Sequence, residues 1–254
     1  MLIGEFSIGV AIALAVVCFL TSMLSAIVGM AGGIILLSSM LLFLDPLVAV
    51  PIHAVLQLAS NGSRSFVQRK YVKWELFWWY AILLLPAGYL VYMFATDVQP
   101  DVLKGLIGIF VLIATWKKRW LTFGIAPKPE HAKRTFFILG GVAGGLNVIV
   151  GAIGPLIAPF FLGIGLERQA VIGTKAMCQM AGHIAKIIIF GVVGFAFWKY
   201  LGFYAMAIPL VFAGTWVGSR ILDKVNETVF TWLFKSALTA MACILIVGAV
   251  VKLV

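Results

Sequence analysis

The chain has 254 residues, 63% of them hydrophobic and only 11% charged, with a mean hydropathy of +1.12. A soluble domain is nearer half apolar and one-quarter charged, so a soluble globular protein is excluded on composition alone. The net charge of +10 would suggest nucleic acid in a soluble protein, but here the cations gather in loops between long apolar runs, and no nucleic-acid partner is expected.

In chain order, the apolar runs predict helices near 7–28, 33–44, 47–66, 74–95 and 101–117, and then 134–150, 154–165, 168–193, 200–219 and 228–252. A span needs roughly 20 apolar residues, and backbone groups in lipid must be satisfied within the segment, so these runs are helices. The first run has no Lys or Arg before it and continues past the length of a signal sequence, which reads as a retained membrane segment. Arg64, Arg69, Lys70 and Lys73 cluster in one loop, and Lys117, Lys118, Arg119, Lys128, Lys133 and Arg134 in another. The short connection between these loops carries Asp97 and Asp101. The positive-inside rule places loops 64–73 and 117–134 in the cytoplasm of an inner-membrane, multi-pass protein embedded in a lipid bilayer. Cys18, Cys178 and Cys243 are scattered through apolar stretches without metal-ligand spacing; neither a disulfide framework, a metal site nor a cofactor is expected.

Segments 33–44 and 154–165 are too short to span alone. Each follows a break, Gly29-Met30-Ala31-Gly32-Gly33 in the first half and Gly151-Ala152-Ile153-Gly154-Pro155 in the second. A shift of 122 residues superposes the halves without a gap, placing Gly29 on Gly151, Gly32 on Gly154, Gln57 on Gln179, Asp45 on Glu167 and Arg64 on Lys186. Interrupted hydrophobic segments at corresponding positions of two halves point to a transporter's binding site. The expected fold is an all-α polytopic membrane protein of two homologous repeats, with about eight spanning helices plus glycine-broken or re-entrant half-helices. The division is 1–117 for the first repeat, 118–133 for a basic cytoplasmic linker and 134–254 for the second repeat. Inverted repeats are favoured over parallel ones, although the charges of the second half do not decide between them.

The helix after each break carries a polar stripe. In the first half it is His53, Gln57, Asn61 and Arg64; in the second it is Lys175, Gln179, His183 and Lys186. Spacing of i, i+4, i+8 and i+11 puts each set within about 80° on one helix face. Simpler readings exist: Arg64 opening the basic loop, Lys186 snorkelling, Lys175 at the interface, His53 as a core histidine. A cation at mid-bilayer costs about 2.5–3.5 kcal/mol, however, and the eight positions share one register. The stripes hold cations and neutral hydrogen-bonding groups and no carboxylate, which suits a small anionic substrate. Helix N-termini at the breaks would add positive dipole ends, and Ser38, Ser39 and Asn147 lie near enough to contribute polar groups. Proton coupling would need Asp45 and Glu167, or His53 and His183.

These features resemble the TauE/SafE sulfite exporter family, also called the 4-toluene sulfonate uptake permeases. The resemblance rests on Gly29-Met30-Ala31-Gly32-Gly33, on Ala49-Val50-Pro51-Ile52-His53, on the basic loop Arg64 to Lys73 entering Trp74, and on the duplicated layout. It implies a bacterial inner-membrane carrier, not an enzyme, acting on sulfite, a sulfonate such as sulfoacetate, or a related oxyanion. His53 and Ser38-Ser39 depart from the family's usual hydroxyl residue and proline, so no one substrate carries over. A membrane subunit of a larger transport complex and a membrane-embedded enzyme are the competing readings, and a homodimer is compatible with the first.

Overall fold

The computed structural model describes residues 2–3, 6–28, 32–95, 97–117, 120, 127–221 and 227–253. Ten α-helices appear among them: α1 (Ile8–Val28), α2 (Gly32–Leu41), α3 (Pro46–Val67), α4 (Trp74–Ala95), α5 (Pro100–Trp116), α6 (Ala132–Ile149), α7 (Gly154–Leu162), α8 (Arg168–Val192), α9 (Leu201–Ile221) and α10 (Glu227–Leu253). One feature was not expected, a two-residue ladder in which Leu2–Ile3 pairs antiparallel with Phe6–Ser7. It sets the Phe6 ring against Tyr200 and Phe203 at the start of α9. Among the described residues, four helical stretches are long and apolar enough to cross a membrane: Ile8–Ala26, Trp74–Ala95, Phe197–Ile221 and Lys235–Lys252.

Both halves have the same order of one long helix, one short helix and three long ones. The predicted short segments come out shorter still, ending at Leu41 and Leu162, because residues 42–45 and 163–167 form turns before the next helix. Pro46 sits in the first turn of α3, where its missing N–H is no loss.

The helix directions follow from which residues meet. The α6 glycines Gly140 and Gly144 lie against the Tyr80 and Leu84 backbones of α4, so these two helices run parallel. In the same way Gly214 and Gly218 of α9 lie against Phe19 and Met23 of α1. Glycines four residues apart form a flat stripe that lets two helix backbones approach closely, a common device where lipid supplies no hydrophobic drive for helix association. By contrast α3 and α8 run antiparallel: a Cβ on Gly173 would lie 2.9 Å from the Gln68 carbonyl, and one on Gly62 would lie 3.8 Å from Met180. The pair α5 and α10 is also antiparallel, tied by Lys252 to Asp101 at 3.2 Å at one end and by Trp116 Nε1 to Thr239 at 2.9 Å towards the other.

These contacts define two faces. The turn at 68–73, residues 127–131 and the α7–α8 turn share one face: Lys73 N donates to Thr174 Oγ1 at 2.9 Å, and Gly163 packs on Pro127. The turn at 42–45, the connection at 97–99 and the segment at 193–200 lie on the other, where Lys104 stands 3.8 Å from Asp45. We call these the basic face and the far face. The helix α1 descends from the far face; α2 turns back along it, with Gly32 packed against Thr21 and Ser25; α3 then descends again.

Candidate functional site

Helices α3 and α8 cross at the centre of the bundle, and their polar stripes meet there. Asn61 Nδ2 lies 3.1 Å from His183 Nε2, and the His53 and His183 rings are edge to face with centroids 5.9 Å apart. Asn61 and His183 are 122 residues apart, so two positions matched by the sequence shift touch one another. Around this contact lies a cavity lined by Ser25, Gly33, Ile34, His53, Gln57, Arg64, Asn147, Ala152, Ile153, Gly154, Gln179 and His183. Its free space is small, room for one or two waters, so a bound solute requires side chains to shift.

Both short helices begin at this cavity. Gly33, in the first turn of α2, and Ile153-Gly154, at the start of α7, are among its walls. The first four N–H groups of a helix have no intrahelical partner, and the helix dipole adds partial positive charge there. Since α2 runs towards the far face and α7 towards the basic face, the two N-termini oppose each other across the cavity. Gly33 lets the Gln57 amide come close to the start of α2, since a Cβ there would lie 3.2 Å from Gln57 Oε1, tighter than an ordinary contact. Gly151 holds φ +72°, a left-handed turn that glycine adopts without strain, and this lets the chain reverse between α6 and α7. Pro155 follows as the second residue of α7, and Gly32 packs on α1 instead of facing the cavity. Gly29 lies outside the described residues.

Of the eight stripe residues, His53, Gln57, Arg64, Gln179 and His183 line the cavity. Asn61 stands just behind the wall and joins three of its members, donating to Gln57 Oε1 at 3.3 Å, meeting His183, and accepting from Arg64 Nη2 at 2.8 Å. Lys186 is 1% exposed and donates to the Gly151 carbonyl at 2.7 Å. Lys175 is buried on the basic-face side of α8, one residue from Thr174. Neither Lys175 nor Lys186 forms part of the cavity wall. Burial of Lys186 disfavours its snorkelling reading, whereas Lys175, next to Thr174 and the 68–73 turn, lies at the depth its interfacial reading requires.

Arg64 does not simply open the loop. It is half-buried, with Nη1 on the Ser25 carbonyl at 3.4 Å and further contacts to Ser60 and Asn61. All partners of Arg64 and Lys186 among the described residues are neutral, and no carboxylate lines the cavity. His53 Nε2 lies 2.9 Å from the Gly33 carbonyl, while His53 Nδ1, His183 Nδ1 and Asn147 Oδ1 are buried with no partner among the described residues. A buried polar atom without a partner costs about 1–3 kcal/mol, a cost that a shift of these side chains toward a polar solute or water would relieve.

Ser38 and Ser39 are buried one to two turns along α2 and do not line the cavity. Ser39 Oγ instead approaches Met241 Sδ at 3.9 Å. Asp45 and Glu167 precede α3 and α8, exposed, on the far and basic faces respectively, and neither reaches the cavity. Ser25 is the wall residue that the stripes did not reveal. The signal was present, because Ser25 is the position that the 122-residue shift pairs with Asn147.

No curated protein and no solved structure matches the chain. Residues 14–245 match the family described as sulfite exporter TauE/SafE. Nearly the whole chain is covered by one family of membrane transporters, and the chain belongs to the TauE/SafE sulfite exporter family.

Proposed function

We propose that this transporter carries a small oxyanion, sulfite or an organosulfonate, through the cavity between α3 and α8. One observation carries the reading: two helix N-termini oppose each other across a space walled by Arg64, Gln57 and Gln179, with no acid among its lining residues. Charge-assisted hydrogen bonds to an oxyanion are strong in such a water-poor setting. The pyramidal or tetrahedral oxygens of these anions suit donors that converge from several directions.

The two halves act as inverted repeats, 1–117 and 134–254, joined by the basic linker 118–133. The antiparallel packing of α3 on α8 and of α5 on α10 supports this, as each pair is a helix and its counterpart. The exchanged pairing of α1 with α9 and of α4 with α6 supports it too. The basic face is cytoplasmic under the positive-inside rule, and the membrane is the cell's inner membrane. Asp45 and Glu167, one on each face, are the proposed points of proton exchange with water, and His53 and His183 are the titratable groups within.

The test is sulfite and sulfonate flux in proteoliposomes. Removing both amides (Gln57→Ala with Gln179→Ala) is expected to lower flux at least tenfold, since each charge-assisted bond contributes about 1.5–3 kcal/mol. Unchanged flux of every transported anion would place the site elsewhere.

A further inference from the structure

We infer that Arg64 and Lys186 are the two gating residues of this transporter, each tethered to the helix end before the break in its own half, on opposite sides of the cavity. The inference rests on reading the cavity as the anion site, and it adds how that site opens to one face at a time.

Each half places a cation of its central helix on a backbone carbonyl close to the start of the short helix. Helix α1 runs from the far face to Val28, and Arg64 of α3 donates to the carbonyl of Ser25 in its last turn at 3.4 Å. Helix α6 ascends to the break at 150–153, and Lys186 of α8 donates to the carbonyl of Gly151 just beyond it at 2.7 Å. The last carbonyls of a helix, Ser25 among them, have no intrahelical donor and carry the negative end of its dipole, and the Gly151 carbonyl lies in the turn two residues past α6, so each can hold a cation in the absence of an anion. Arg64 and Lys186 are themselves related by the 122-residue shift.

Because α3 and α8 run antiparallel, the two tethers lie at different depths. Arg64 is near the basic-face end of α3, level with the first turns of α8, where Gly173 meets Gln68. Lys186 lies one turn beyond His183 towards the far face, and its partner Gly151 packs near Leu37 and Val50, close to the far-face ends of α2 and α3. The cavity is therefore closed on one side by the α1 end with Arg64, and on the other by the α6 end with Lys186.

An oxyanion in the cavity competes with these carbonyls for the same donors. A full negative charge attracts a guanidinium or ammonium more strongly than a carbonyl dipole does. Moving one cation from carbonyl to anion releases that helix end and opens that face, while the other tether holds. A ligand shifts a two-state element only through such a difference in contacts. The two tethers are unequal in this structure: Arg64 already faces the cavity with a long carbonyl contact, whereas Lys186 lies behind the wall with a short one. The conformation is thus closer to opening on the basic face.

The test uses the full chain with Cys18, Cys178 and Cys243 replaced by Ala, carrying one reporter, Ser25→Cys or Asn147→Cys. A membrane-impermeant thiol reagent is applied without anion to intact cells or to inside-out vesicles. Arg64→Gln is expected to raise labelling at position 25 at least threefold from the basic face and to leave position 147 unchanged. Lys186→Gln is expected to do the reverse from the far face. Both variants exposing one face, or neither changing either reporter, overturns the inference. Should the Gln variants not reach the membrane, Arg64→Lys and Lys186→Arg decide: each keeps a donor and must retain wild-type protection, and exposure in either overturns the tether. Sided labelling in a protein that moves no sulfite or sulfonate would sink the anion reading and leave the gates standing. Anion flux that depends on Gln57 and Gln179, with labelling that shows no sidedness, would do the opposite.

Discussion

Replacing Arg64 with Met separates transport from stability. Arg64 makes one close hydrogen bond, 2.8 Å to Asn61 Oδ1, and three of 3.4 Å to Ser25 and Ser60. Holding a cation at this depth costs about 2.5–3.5 kcal/mol on insertion scales. Hydrogen bonds made by a charged group return about 1.5–3 kcal/mol for the close one and less for the rest. The two sides nearly cancel, and the Met chain fills much of the same volume. The folded state should change by no more than about 2 kcal/mol, or within about 6 °C in thermal midpoint. The anion, in contrast, loses a charged partner that nothing replaces, a loss of about 1.5–3 kcal/mol, or about 10- to 150-fold in apparent affinity. The assay is sulfite counterflow in proteoliposomes, with the melt followed in the same detergent-purified sample. A KM within threefold of wild type in a well-folded variant would refute the placement of the anion beside Arg64. A melt lowered far beyond that range, with flux per folded molecule intact, would make Arg64 a structural residue instead.

Three further outcomes follow from the packing and the site. Asn61→Asp keeps the shape but sets a carboxylate among Arg64, His183 and Gln57, so anion flux should fall at least tenfold and binding of sulfite should weaken; wild-type flux would separate Asn61 from the site. Gly144→Val puts a Cβ 3.0 Å from the Leu84 Cα, and Gly214→Val puts one 3.2 Å from the Met23 N, backbone contacts that cannot yield. Overpacking of this kind costs about 1–3 kcal/mol or more, and the folded fraction in detergent should drop for both, while Gly9→Ala, with open space around it, should not change it. Asp45→Asn combined with Glu167→Gln should slow proton movement coupled to sulfite flux at least threefold, read with a pH-sensitive dye inside proteoliposomes; unaltered proton movement would remove the two acids from the proton path.

Much of this architecture was legible in the residues. The starts of α2 and α7 were marked by glycine clusters, and the period of the polar residues put His53, Gln57 and Arg64 on one face of α3. What period alone does not give is depth along a helix or the direction of its neighbour. Lys175 and Lys186 have the right phase for the cavity, yet one lies towards the basic face and the other behind Gly151, because α8 runs opposite to α3. Ser38 and Ser39 were close in sequence to the break, but a helix rises 1.5 Å per residue, and six residues carry them away from the N-terminus that faces the cavity. The glycine pairs 140/144 and 214/218 were also plain in the sequence. Their meaning depends on a partner helix from the other half, which only the tertiary contacts identify.

The meeting of Asn61 with His183 has a consequence for how such a protein arises. Under the proposed inverted repeat, matched positions that touch sit on the axis relating the halves, and an ancestor made of two identical chains would face the same side chain with itself at that point. Two asparagines or two histidines there must settle which one donates, and a single codon change alters both sides of the contact together. Once the halves share one gene, each side can drift alone, and the pair can become a fixed donor and a fixed acceptor. The same freedom lets one half keep arginine at position 64 while the other keeps lysine at position 186, so that inward and outward passage need not proceed at equal rates.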